Sequence, residues 1–166
     1  MVRAGALLFA LCVSCSYDFE NYTPNGRADS AIQSDTPSSG CSETGSRVYG
    51  GHCYFPTAAP LSFQDAKKAC ETAGTHLAVI TTTNEQAAIE SMASGSDRWI
   101  GLSRPAGSAS DVKQFKWVTG EAPNYFKWDV GEPTGAGECG RMKRGGAWGD
   151  SSCAAQIVAI CERESS

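Results

Sequence analysis

The sequence predicts an α+β fold in which two helices come early, a long irregular β half follows, and three disulfides hold the whole. Three observations carry this. Between Ser62 and Gly95 two segments place apolar residues at helical spacing, with a capping residue before each and a glycine after. Beyond Gly95 the apolar runs are short and bounded by turn residues, as short strands are. Finally, six cysteines (Cys41, Cys53, Cys70, Cys139, Cys153 and Cys161) remain once an export segment is set aside, and an even number in an exported chain reads as a disulfide framework. Counting alone leaves their pairing open.

The export segment comes first. Arg3 supplies a positive start and Ala4 to Val13 are almost wholly apolar, long enough for a secretory signal and too short to cross a bilayer. Small Ser14 then precedes Cys15. This resembles the bacterial lipoprotein signal, in which cleavage precedes a cysteine that is acylated and retained, so residues 1–14 are expected to be removed and Cys15 to carry lipid. Residues 15–40 are rich in Ser, Asp, Asn, Thr, Pro and Gly and cannot bury enough apolar surface to offset ordering. They read as a flexible tether reaching roughly 25 to 30 Å. The folded domain is placed at 41–163, with a tail at 164–166.

Within the domain, Arg47 to Phe55 flank Gly50-Gly51 and read as a hairpin closing near Pro56. Ser62 caps a helix whose Phe63, Ala66 or Lys67, Cys70 and Ala73 share a face, with Asp65 in its first turn and Gly74 at its stop. His76 to Ile80 read as a short apolar strand. Asn84 is then placed at the cap of a second helix that turns Ala88, Ile89 and Met92 inward and closes at Gly95. Trp99-Ile100-Gly101-Leu102 form an apolar strand, followed by turns and short strands out to Cys161. Trp99, Ile100 and Trp117 read as core.

Composition narrows the function. Fourteen basic residues against 18 acidic give a net charge of −4, which disfavours broad attraction to nucleic acid. The only histidines are His52 and His76, and no HExxH, GxSxG or Walker-type string is present. No nucleophile stands beside a base, so the chain reads as a non-enzymatic binding module.

Trp99-Ile100-Gly101-Leu102 after two helices resembles the WIGL signature of C-type lectin-like domains. Phe115-Lys116-Trp117-Val118-Thr119-Gly120, then Pro123, Tyr125 and Trp128, are similar to that family's approach to its long loop. Gly131-Glu132-Pro133 resembles the start of its Glu-Pro-Asn motif, and Trp148-Gly149-Asp150 stands where the family has Trp-Asn-Asp. The resemblance covers about Cys41 to Arg163. It implies the lectin-like fold of two helices on small antiparallel sheets with a long loop region, and the pairs Cys70–Cys161, Cys139–Cys153 and Cys41–Cys53.

The resemblance also implies a calcium site at that loop. Calcium takes six to eight oxygens at about 2.3 to 2.6 Å, so ligand counting decides its affinity. Glu132 and Asp150 match the family's ligands. Thr134 replaces one Asn with a shorter hydroxyl and Gly149 replaces the other with no side chain. Gly137 falls at the upstream acidic position, and Glu138 serves only with a one-residue shift of the loop. The metal set is therefore Glu132, Glu138 and Asp150, and calcium binding is expected to be weak or absent; no other cofactor is implied. The sugar contacts run through the same side chains, so they weaken together.

Other candidates for ligand contact are Trp148, whose ring could face a sugar although its family position is structural, and the basic cluster Arg141, Lys143 and Arg144. The cluster precedes Gly145-Gly146, where a hairpin tip is expected to turn its charges outward toward an anionic glycan or an acidic partner, or merely to solvent. Two functions follow. One is an exported recognition module that binds a glycan or protein at the cell surface through the loop from Trp128 to Asp150, touching membrane only through its lipid anchor in the cell envelope, or secreted with an ordinary signal. The alternative is a structural cell-envelope lipoprotein using the fold as a scaffold.

Overall fold

The computed structural model describes residues 41–164; the signal and the Cys15 anchor lie outside these residues. Two small antiparallel sheets carry the fold. The first has the order β1 (Arg47–Tyr49), β2 (His52–Pro56), β8 (Ile160–Arg163), β3 (His76–Leu77). The second runs β5 (Lys116–Trp117), β4 (Arg98–Ser103), β6 (Cys139–Met142), β7 (Trp148–Ser151). Because β2 pairs with β8, Phe55 opposite Cys161, the beginning and end of the domain close on each other.

Helix α1 spans Phe63–Thr72 for the reasons its sequence gives. The Ser62 side chain accepts the Asp65 N–H at 3.2 Å, satisfying an otherwise orphaned donor, and Gly74 takes φ 69° beyond the end. Phe63, Ala66 and Cys70 are its buried face. Phe63 meets Trp99 edge-on at 5.6 Å between ring centroids, which seats α1 on β4.

Two local expectations are corrected. The cap of α2 (Thr83–Ile89) is Thr82, whose hydroxyl accepts the Glu85 N–H at 3.1 Å; Asn84 lies inside the first turn. Thr82 wins because its own backbone is extended, as a cap requires, and because Glu85 stands three residues on. The helix tightens into a 3-10 turn at Glu90–Ala93, which buries Met92. Likewise, the strand expected over His76 to Ile80 is only His76–Leu77. Ala78 leaves the ladder to bridge the sheets: its N–H donates to Ile160 at 2.9 Å, and its carbonyl accepts from Gly101 of β4 at 2.7 Å. This junction explains the glycine of the Trp99–Leu102 strand, since a Cβ there would stand 2.7 Å from the Leu77 carbonyl oxygen.

The three disulfides are Cys41–Cys53, Cys70–Cys161 and Cys139–Cys153, the pairs the resemblance implies. Cys70–Cys161 spans 91 residues and ties α1 to β8. Constraint of so long a loop in the unfolded chain contributes about 4 to 5 kcal/mol in the chain-entropy model. Cys139–Cys153 clamps the β6–β7 hairpin at its base.

Candidate functional site

The long loop is built on an aromatic floor. Trp148 is wholly buried, meets Trp117, Tyr125 and Trp128 edge-on at 5.6 to 6.2 Å, and donates its indole N–H to Gln86 at 2.8 Å. It is therefore a core residue and offers no face to a sugar, which corrects its inclusion among ligand contacts. The Trp148 N–H donates to the Lys127 carbonyl at 2.7 Å and its carbonyl accepts the Asp129 N–H at 2.8 Å, so β7 positions the start of the loop directly.

Above this floor the acidic residues are already engaged. Asp150, 1% exposed, accepts the Thr134 N–H at 2.8 Å and the Thr134 hydroxyl at 2.9 Å on Oδ1, and the Gly137 N–H at 3.3 Å on Oδ2. Burial pushes its carboxyl up, but the hydrogen bonds from Thr134 and its other partners outweigh that, and it sits below the usual carboxylate range. Glu132 Oε2 accepts the Asp150 N–H at 3.3 Å, while its Oε1 lies 3.5 Å from the Lys143 ammonium. That ammonium donates to Asp129 Oδ2 at 2.7 Å. The Asp129 carboxyl is held low by this hydrogen bond, and the Lys143 ammonium is in turn held high by Asp129.

These residues do not fit a calcium ion. Asp150 has spent its oxygens on loop donors and is inaccessible, and a cation sits on Asp129 and Glu132 already. Glu132, Glu138 and Asp150 are not a trio with ligand atoms within 4.8 Å of one another; among the described residues the one such group is Cys41, Glu43 and Cys53, whose sulfurs are bonded to each other. The shift that would bring Glu138 into the site is blocked. Gly137 lies so close to Ser151 and Ser152 that any Cβ would run into their backbone, and the Glu138 carbonyl is held by the Arg104 N–H at 2.9 Å. The Arg104 guanidinium, itself buried, donates to the Gly137 carbonyl at 3.0 Å and fixes the loop from below.

The basic cluster is not the outward patch expected of it. Arg141 pairs with Asp97 at 2.7 Å and Lys143 with Asp129, so two of its three charges are neutralised by acids distant in sequence. Arg144 alone of the three has no ion pair on its side chain among the described residues; its backbone N–H donates to Asp97 at 3.0 Å. The hairpin tip forms as expected, with Gly145 and Gly146 at φ 97° and 93°. Asp97, Asp129 and Gln86 were not singled out from the sequence, since nothing in their spacing announces partners 44, 14 and 62 residues away. The exposed side chains of this stretch of sequence include Phe126, Val130, which is fully exposed, Thr134 and Arg144.

A second constellation lies on the first sheet, lining a cleft of about 350 Å³. The Tyr54 hydroxyl donates to Glu85, and Glu162 gathers His52 Nδ1 at 2.7 Å and the Val79 N–H at 2.8 Å, with His76 Nδ1 at 3.9 Å. Both histidines thus serve one buried carboxylate. Burial pushes the Glu162 carboxyl above its ordinary value, against the hydrogen bond from Val79 and the pull of His76 and His52.

The sequence model of the Lectin C-type domain matches residues 59–163. The chain belongs to the C-type lectin family. Among its relatives is mouse C-type lectin domain family 4 member G, 30% identical over 122 residues, which make up 71% of this chain and 41% of that protein. The chain thus spans about two fifths of that relative. The mouse scavenger receptor C-type lectin carbohydrate-recognition domain superposes with a TM-score of 0.67 at 28% identity, covering 73% of this chain and 94% of that one. A calcium-independent type II antifreeze protein superposes with a TM-score of 0.62 at 26% identity, covering 73% and 92%. This C-type lectin domain therefore shares its fold with a carbohydrate-recognition domain and with a calcium-independent antifreeze protein.

Proposed function

We propose that this C-type lectin domain is a non-enzymatic, exported recognition module that takes a carbohydrate or protein ligand on the loop between Trp128 and Asp150 without using calcium. The observation that carries the reading is the internal closure of the acidic site: Lys143 on Asp129 and Glu132, and Thr134 on Asp150. A loop so closed presents its outer face in a fixed shape, which lowers the ordering cost of binding. Exposed Phe126, Val130 and Arg144 are the candidate contacts for an apolar surface and an anionic group on such a ligand. The carbohydrate-recognition relative supports a glycan, and the antifreeze relative supports calcium independence.

Export is supported by three disulfides, which persist in oxidising compartments. No described helix is long and apolar enough to cross a membrane. A signal at residues 1–14, lipid on Cys15, a tether at 15–40, a domain at 41–163 and a tail at 164–166 complete the reading from sequence. Replacement Cys15→Ala should release the protein from the membrane fraction, and retention would refute the anchor.

The function is tested by glycan-array and cell-surface binding of the oxidised chain, once with calcium and once with chelator. Equal binding in both conditions is expected, reduced by Arg144→Ser for anionic ligands. Binding only with calcium would overturn the calcium-independent reading. No binding in either would favour the scaffold alternative.

A further inference from the structure

The Lys143 side chain runs along the face of the β6–β7 hairpin that also carries Arg141 and Gly149, which are cross-strand partners. A Cβ on Gly149 would stand 2.7 Å from Glu132 Oε1 and 3.0 Å from Lys143 Cδ. The space an Asn would need at 149 is thus filled by the Glu132 carboxylate and the Lys143 stem. The absence of a side chain at 149 and the presence of a long cation at 143 are one arrangement: the first makes room for the second. The ammonium at the end of that stem touches Asp129 and Glu132, and Glu132 in turn holds the Asp150 N–H.

We propose that the Lys143 ammonium is a tethered cation that closes the 129–137 loop in place of a bound metal ion. One end of the loop is fastened through Asp129 and Glu132 to Lys143, the other through Thr134 and Gly137 to Asp150. A charge carried on the chain has no dissociation constant, so the loop stays closed wherever free calcium is scarce. The inference deepens the calcium-independent reading above, and it is tested without any ligand, so it can fail while recognition stands or stand while recognition fails.

The test is amide hydrogen exchange of the oxidised full chain, followed over residues 129–137 with 10 mM calcium or with chelator. Wild type should exchange at the same rate in both. Lys143→Met should exchange about tenfold faster over this segment, with calcium or with chelator, while β4 and β8 keep their protection, and Lys143→Arg should resemble wild type. Slower exchange of wild type with calcium would overturn the proposal. So would wild-type exchange in Lys143→Met, or exchange in Lys143→Arg as fast as in Lys143→Met, which would make the charge at 143 irrelevant to the closure. Should Lys143→Met fail to fold, Asp129→Asn removes the other partner of the ion pair and should likewise speed exchange over this segment, and the wild-type arm stands regardless.

Discussion

The backbone N–H of Asp150 donates to Oε2 of Glu132 at 3.3 Å, so the two acidic residues matching the metal ligands of the family are fastened to each other rather than opened toward an ion. Asp150 turns its carboxylate away from solvent, onto donors from Thr134 and Gly137. In this chain the residue is a staple for the loop.

Its removal should be costly for that reason. Asp150→Ala strands three donors in a site 1% exposed and is expected to lower stability by about 2 to 3 kcal/mol. Asp150→Asn keeps one acceptor oxygen and should lose less. Denaturant unfolding of both variants measures the difference, and a loss near zero for Asp150→Asn would show that the carboxylate contributes only its volume.

Gly149→Asn restores the family residue to a position with no room for it. Displacing the Glu132 carboxylate and the Lys143 stem should cost about 1 to 3 kcal/mol, with no gain in calcium affinity. A variant as stable as wild type that binds calcium would mean the neighbouring side chains yield freely.

Gly101→Ala tests the junction between the sheets. Its Cβ would press on the carbonyl oxygens of Leu77 and Ala78, at 2.7 and 3.0 Å, both of them backbone and unable to swing aside. A loss of about 1 to 3 kcal/mol in thermal or denaturant unfolding is expected.

The cleft on the first sheet predicts a pH dependence. A carboxyl whose folded-state value is raised favours folding most below its ordinary 4.5, and that contribution is lost as pH rises through the raised value. Glu162 faces His52, His76, Tyr54 and the nearby Glu85. Wild type and Glu162→Gln should therefore melt close together near pH 4, and wild type should fall relative to the variant toward pH 7. A constant difference across the range would contradict a raised carboxyl.

The sequence made the skeleton legible where the signal is local. Ser62, Asp65 and Gly74 mark the bounds of α1 because capping acts within a turn, and the run from Trp99 to Leu102 reads as a strand because its neighbours are turns. The lectin-like motifs then fix the disulfide pairing, which spacing alone leaves open. Legibility ends where partners come from afar. Lys143 reads as an outward charge until Asp129 and Glu132 fold over it, and Arg141 until Asp97 does. Thr82 and Asn84 are both good capping residues, and only the extended backbone of Thr82 selects between them. Glu138 looked available to a shifted loop, yet the close packing of Gly137 on Ser151 permits no shift.

Calcium titration by calorimetry of the oxidised wild-type chain, to about 10 mM and at neutral pH, bears most directly on the closed loop. Extracellular calcium modules bind with dissociation constants of about 0.1 to 1 mM, so a working site would saturate in this range. The arrangement of Lys143, Asp129, Glu132 and Asp150 predicts no saturable heat. A one-to-one isotherm with a submillimolar constant, abolished by Asp150→Ala, would contradict it.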